Sequence, residues 1–341
     1  MLLRILLDGR RNDLPAESNT STIMKCNFWK ITTVAAGVCA VTLAAVAAPL
    51  ERADVVADPA WLLHLDCDAL RPTAVGKYVL SELNKPEAKA KLAVFQALFS
   101  FDPRTQLHGV TLYGTGSAPE DGVLMVYADF DPAHLVNLAQ AAKGYESHEH
   151  GNVTIHSWID DKKKAKGDVK PRIYAAIEGN RVIFAQREEN VAKALDVAEK
   201  KEASLAKGRA FPELGRADSG HVVEAAAQKL NLPGSNPNAN ILKLSKSIQL
   251  VMGEKEDLFN GQVTLVADSD EVAGHVFSIV QGLLALAKLQ TDKPEAVKLA
   301  NAVDLKQDGS RIVGSLSLPA ADVVAAMKAD AARKAALKQD Q

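Results

Sequence analysis

The densest group of side chains able to hold a metal or move a proton is His148-Glu149-His150 with His156. Imidazoles two apart on a strand point the same way, so His148 and His150, joined by His156 from the returning strand, would offer neutral nitrogens to zinc or copper. Zinc draws on three or four convergent ligands, and His150 stands beside Gly151, where a hairpin turn keeps polar side chains in water. A solvated hairpin is therefore the rival reading. A second group, His64-Leu65-Asp66-Cys67-Asp68, alternates so that a strand carries His64, Asp66 and Asp68 on one face and Leu63, Leu65 and Cys67 on the other. That is either a three-ligand metal face or the wet side of a strand whose apolar side is buried. His221 and Glu224, on the corresponding later strand, do not repeat the spacing.

The remaining patterns point away from catalysis. Asp129/Asp131 and Asp268/Asp270 are carboxylates two apart at a strand-to-helix junction, where an acid caps orphan amides and suits the helix dipole. Ser204-Leu205-Ala206-Lys207 satisfies S-x-x-K, but no Lys-Thr-Gly or Ser-Asp-Asn accompanies it. Gly114-Thr115-Gly116-Ser117 has Pro119 where a phosphate loop needs a third glycine and lacks a following Gly-Lys-Ser/Thr, which makes it a hairpin loop. Lys162, Lys163, Lys164, Lys166 and Lys170 crowd one loop and read as a solvated hairpin tip or a contact for an anionic surface. No cofactor motif is present, and Cys67 reads as a small buried hydrophobe.

The elements that position these residues are set by periodicity and by an internal repeat. Asp121-Gly122-VLMVY-Ala128-Asp129-Phe130-Asp131 and Asn260-Gly261-QVTLV-Ala267-Asp268-Ser269-Asp270 share [DN]-G-x5-A-D-x-D, and the chain reads as duplicated. Leu107–Tyr113 and Val123–Asp129 are strands of one hairpin, and Asp131-Pro132 starts a helix with apolar residues at helical spacing. Hairpins turning at Gly151-Asn152 and Gly179-Asn180 come next, then a helix from Glu188. The later half gives strands at 221–227, 248–252, 263–267, 303–306 and 311–318, with helices from Asp270, Pro294 and Ala320. In it, His150-Gly151-Asn152 is matched to Asp308-Gly309-Ser310. The prediction is an α+β fold of two related units, 54–202 and 220–328, each an antiparallel sheet with helices packed on one face. Residues 203–219 form the boundary and 329–341 a polar tail. The run Val272–Ala287 carries no formal charge, which predicts a helix buried nearly all round or one lining an apolar groove.

From Met24, two lysines precede an uncharged stretch from Ile31 to Ala48 that ends in small residues, the layout of a secretory signal. Cleavage after Ala47 sets residues 1–47 aside as an upstream extension and signal, and the membrane is involved only if that segment is retained as an anchor. Residues 48–341 carry 35 Lys/Arg against 39 Asp/Glu and the single cysteine Cys67, so no intramolecular disulfide forms. A near-neutral chain with 5% aromatic residues lacks the basic footprint and stacking platforms of a nucleic-acid binder. In its signal, its alanine-rich and cysteine-poor body and its repeated strand-strand-helix units over residues 55 to 328, the sequence resembles exported bacterial proteins of unknown function. The resemblance implies an exported α+β protein and assigns no catalytic residue. The function expected on these grounds is that of a non-enzymatic binding or scaffold protein of the cell envelope, its partner another protein or an amphipathic ligand. A metal-binding protein or metal-dependent enzyme using the His/Asp groups, and a carrier of apolar ligands or lipids, are the alternatives.

Overall fold

Alternating apolar residues between Gly, Pro and Asp punctuation produce strands, and capped runs of 3.6 periodicity produce the helices between them. The computed structural model describes residues 49–161, 170–216, 220–228, 245–290 and 294–339. Its strands are β1 Trp61–Asp66, β2 Leu107–Gly114, β3 Gly122–Ala128, β4 Glu146–His150, β5 Val153–Ile159, β6 Arg172–Glu178, β7 Arg181–Ala185, β8 His221–Gln228, β9 Ser245–Lys255, β10 Leu258–Ala267, β11 Val303–Asp308 and β12 Arg311–Pro319. They form a single 12-stranded sheet in the order β11-β12-β10-β9-β8-β1-β2-β3-β7-β6-β5-β4, and every pairing is antiparallel. The helices packed on it are α1 Cys67–Leu70, α2 Ala74–Leu83, α3 Pro86–Phe99, α4 Pro132–Gln140, α5 Glu188–Ala198, α6 Asp270–Lys288, α7 Pro294–Ala302 and α8 Ala320–Gln339. The fold is α+β. The signal segment and Lys162–Lys166 lie outside the described residues.

The first strand of each predicted unit pairs with the other at the middle of the sheet, with Leu63 opposite Ala225. Outward from this seam the order is the same on both sides: a hairpin (β2-β3 or β9-β10), then a second hairpin entered by its later strand (β7-β6 or β12-β11). The third strand ends on the same backbone bond each time, Ala128 N to Asn180 O at 3.0 Å and Ala267 N to Ser310 O at 2.8 Å. The turn at Gly309 (φ 56°) therefore corresponds to the one at Gly179 (φ 58°), and not to Gly151, as spacing alone suggests. Acid-Gly-[Asn/Ser]-Arg is the shared motif, in Glu178–Arg181 and Asp308–Arg311.

Successive cross-strand partners define the two faces of the sheet. One row runs Gln262, Val251, Glu224, His64, Thr111, Met125, Ile183, Ala176, Ile155 and His148. Over its central part lies the main core, where Val191, Ala194 and Leu195 of α5 meet Val123, Met125 and Ile183, and where Val55, Leu205, Phe211 and Leu214 are also buried. The stretch 203–215, which the sequence marks as the boundary between units, thus lies packed over the seam. Arg52 secures it by donating to the carbonyls of Phe211 (2.8 Å), Leu214 (3.0 Å), Leu205 (3.0 Å) and Ala210 (3.1 Å). A smaller core joins Leu265 and Ile312 of the sheet to Ala273 and Val276 of α6.

The stretch between Asp68 and Gln106 holds α2 and α3. Thr73 caps α2 through its hydroxyl to Gly76 N, and Pro86 opens α3. The Glu254 carboxylate accepts the amides of Ala74 (2.6 Å) and Val75 (3.2 Å), fixing the start of α2 to β9.

Candidate binding surface

The strand β1 alternates as predicted, but with the faces exchanged. His64 and Asp66 point into the core and Leu63 points outward. The inversion has a physical cause in what distant segments supply to the polar face. His64 Nδ1 lies 2.9 Å from Thr111 Oγ1, Glu224 sits opposite His64 on β8, and Glu224 Oε2 accepts Gly215 N at 2.5 Å. Burial pushes the Glu224 carboxyl up, against the lowering effect of the Gly215 amide and of Arg52. Burial likewise raises Asp66, whose carboxylate accepts Ala69 N at 2.8 Å and so caps α1. The strand ends there, and Asp68 rides on α1 instead of continuing the His64/Asp66 face.

Asp68 belongs to a different constellation. His108 Nδ1 meets Asp68 Oδ2 at 2.9 Å and His108 Nε2 meets Asp129 Oδ1 at 2.9 Å, while Arg71 also pairs with Asp68. Burial lowers the imidazole's pKa, but the two carboxylates outweigh it and hold the ring above its ordinary value. With both nitrogens occupied by carboxylates, the ring is an ion-pair bridge between α1, β2 and the β3–α4 junction rather than a base. No spacing in the sequence marks His108, because its partners come from positions 40 and 21 residues away. Of the repeated acids, Asp131 caps α4 by accepting Ala133 N and His134 N. At the second junction the cap is Ser269, which accepts Val272 N at 3.2 Å, and Asp270 is the first residue of α6.

The histidines of the β4-β5 hairpin diverge. His148 Nδ1 faces Glu188 Oε1 at 3.1 Å and His150 Nε2 faces Asp196 Oδ1 at 2.9 Å, both on α5. His156 sits opposite Ser147, on the other face of the sheet, buried against Tyr145, whose hydroxyl lies 3.0 Å from its Nδ1. Burial lowers its pKa. Along the cross-sheet row His148 is six strand spacings from His64, about 29 Å. Among the described residues no group of three His, Cys, Asp or Glu side chains is placed to hold a metal. Cys67 is buried and its thiol is pushed up to about 11, mainly by desolvation, so it stays protonated at neutral pH. Ser204 is buried in a bridge to Val56 while Lys207 is exposed, so the S-x-x-K pair does not form a dyad.

Among the described residues two surfaces remain open. The first is one end of the sheet face of β9, β10, β12 and β11, where Gln262 and Ser315 are half-buried and Asp304 is exposed, while Val251, Gln249 and Thr264 on the same face are buried. In the first half the row Tyr113, Val123, Ala185 and Tyr174 lies in the core, under α5. Its counterpart in the second half is Val251, Gln262, Ser315 and Asp304. The helix that comes after β12, α8, packs chiefly against α2, with Lys328 Nζ 5.8 Å from the centre of the Tyr78 ring. Gln262, Ser315 and Asp304, with Asn260, Ser317 and His221, line a cavity of about 410 Å³. The second surface is α6. Its uncharged run predicts a central helix buried nearly all round, but it lies over β10, β11 and β12 and buries only Ala273 and Val276. Its side away from the sheet exposes Ile279, Leu283, Leu286 and Leu289. No helix among the described residues is long and apolar enough to cross a membrane.

The sequence matches no protein-family model and no curated protein. The structure is similar to crystal form III of TP0453, at 11% identity and a TM-score of 0.46 over 84% of this chain and 99% of that one. It is also similar to crystal form I, at 12% identity and a TM-score of 0.44 over 84% and 98% of the two chains, and to crystal form IV, at 13% and 0.41 over 83% and 97%.

Proposed function

We propose that this is an exported, non-enzymatic binding protein of the cell envelope whose ligand docks on the open sheet face of its second half. One observation carries the reading. Positions that form the apolar core in one half, Val123, Ala185 and Tyr174, are Gln262, Ser315 and Asp304 at the corresponding places in the other. A row that turned polar while the sheet kept its order is suited to a polar ligand, because the half-buried Gln262 and Ser315 and the exposed Asp304 present hydrogen-bonding groups to whatever docks there. The lining has no Phe, Tyr or Trp ring on which a sugar would stack, and it carries Asp304, Glu254 and Lys255 beside its neutral polar side chains, which favours an extended polar stretch of a partner protein. His148, His150 and His108 each engage carboxylates, and these pairings, with the inert thiol of Cys67, support a binding role over a catalytic one.

The experiment is a binding screen of the intact chain against short polar peptides and neutral oligosaccharides. It is repeated with Ser315→Trp, which fills the cavity from a partly exposed position. A peptide ligand lost by Ser315→Trp but retained by an exposed control such as Ser147→Ala supports the reading. Unchanged binding to Ser315→Trp refutes the location, and an absence of any ligand up to about 1 mM, the weak limit of specific recognition, refutes the function.

A further inference from the structure

We infer that the outward face of α6 is the contact of a two-fold dimer of this chain. Ile279, Leu283, Leu286 and Leu289 are 47%, 52%, 61% and 75% exposed. They recur at helical spacing along one side of the helix, with Ser278, Gly282 and Ala285 between them. Leu299 of the adjoining α7 is a further 48% exposed. Together they make an apolar patch on the order of 500 Å², at the upper end of what a monomer leaves open. Two such patches face to face would bury about 1,000 Å², the lower bound for a specific interface between proteins.

Gly282 supports a helix as the occupant. A Cβ there would meet nothing within 4 Å, so no contact inside the chain requires the glycine. Yet glycine in a helix interior costs about 1 kcal/mol relative to alanine. Gly274 in the same helix is equally uncrowded but half-buried, whereas Gly282 is exposed within the row of Ile279, Leu283 and Leu286, where the missing side chain lets the backbone of a second helix approach closely. Charge decides between a second copy and a lipid surface. From Val272 to Ala287 the helix has no formal charge, so a two-fold crossing near Gly282 brings no like charges together. A bilayer-seeking helix carries a rim of Lys and Arg, whereas the exposed charged residues at the start of α6 are Asp268, Asp270 and Glu271, with only Lys288 at its end.

The test is sedimentation equilibrium of the intact chain from an exporting host, with Leu286→Glu and Gly282→Leu beside it. Both positions face solvent in the monomer, so both variants keep the wild-type far-UV circular dichroism spectrum. The wild type is expected to be a dimer at micromolar concentration, and each variant to raise the dimer dissociation constant at least tenfold. A wild type that stays monomeric at about 100 μM, weaker than any stable dimer, overturns the inference. So does a dimer that survives Leu286→Glu. Flotation of a monomeric wild type with phosphatidylcholine vesicles, abolished by Leu286→Glu, would overturn it as well and assign the patch to a membrane.

Discussion

Arg52 is the position at which a single substitution tests the account of the seam. Its guanidinium donates to four backbone carbonyls of the 205–214 stretch at 2.8 to 3.1 Å, and this stretch places Leu205, Phe211 and Leu214 in the core. Burial lowers its pKa while Glu224 raises it, which marks a cation held by its surroundings rather than by bulk water. Hydrogen bonds to a charged group contribute about 1.5–3 kcal/mol each when counted singly. Four bonds to one partly exposed side chain are not additive, so Arg52→Met is expected to cost about 4 kcal/mol. Arg52→Lys, which cannot span the same fork, should recover less than half of that. Urea unfolding followed by circular dichroism measures both, provided the slope of the transition is unchanged. A loss below about 1 kcal/mol for Arg52→Met would show that apolar contacts alone hold the stretch, and the account of the seam would be wrong.

Three further outcomes rest on the same geometry. His108 is raised above its ordinary value of 6.5 by Asp129 and Asp68, so its stabilisation is complete below pH 6.5 and is lost as pH rises through the folded value. Unfolding free energies from about pH 5 to 9 should fall more steeply in the wild type than in His108→Gln, and parallel profiles would refute the bridge. Glu224 has the opposite consequence to a salt-bridged acid: its folded pKa lies above 4.5, so the native state binds the extra proton and stability falls as pH rises from 4.5 through the folded value. Glu224→Gln should flatten that descent, and an unaltered slope would remove Glu224 as its source. The histidines of the β4-β5 hairpin and the His64/Asp66 pair do not converge, so the chain loaded with zinc and dialysed should retain less than about 0.1 ion per molecule by elemental analysis. Stoichiometric retention would revive the metal reading.

What the sequence disclosed and what it hid divide along a physical line. Hairpins at Gly151, Gly179 and Gly309 and the helices at 270–288 and 294–302 depend on nearest neighbours, and they stand where punctuation and periodicity place them. The alternation of β1 was equally legible, but alternation is symmetric and does not say which side is wet. Arg52, Thr111, Gly215 and Glu224, from 12 to 160 residues from His64 along the chain, make its polar side the buried one. His108 between Asp68 and Asp129 is likewise a tertiary product with no spacing to betray it. The helix α6 is the sharpest case. Its long uncharged run shows that most of the helix circumference is costly to leave in water, and the sheet covers only one side of it. Hydrophobicity reports that demand without saying which molecule meets it. The buried side, through Ala273 and Val276, is answered by this chain's own β10 and β12, and the side bearing Leu283 and Leu286 is left for a surface from elsewhere.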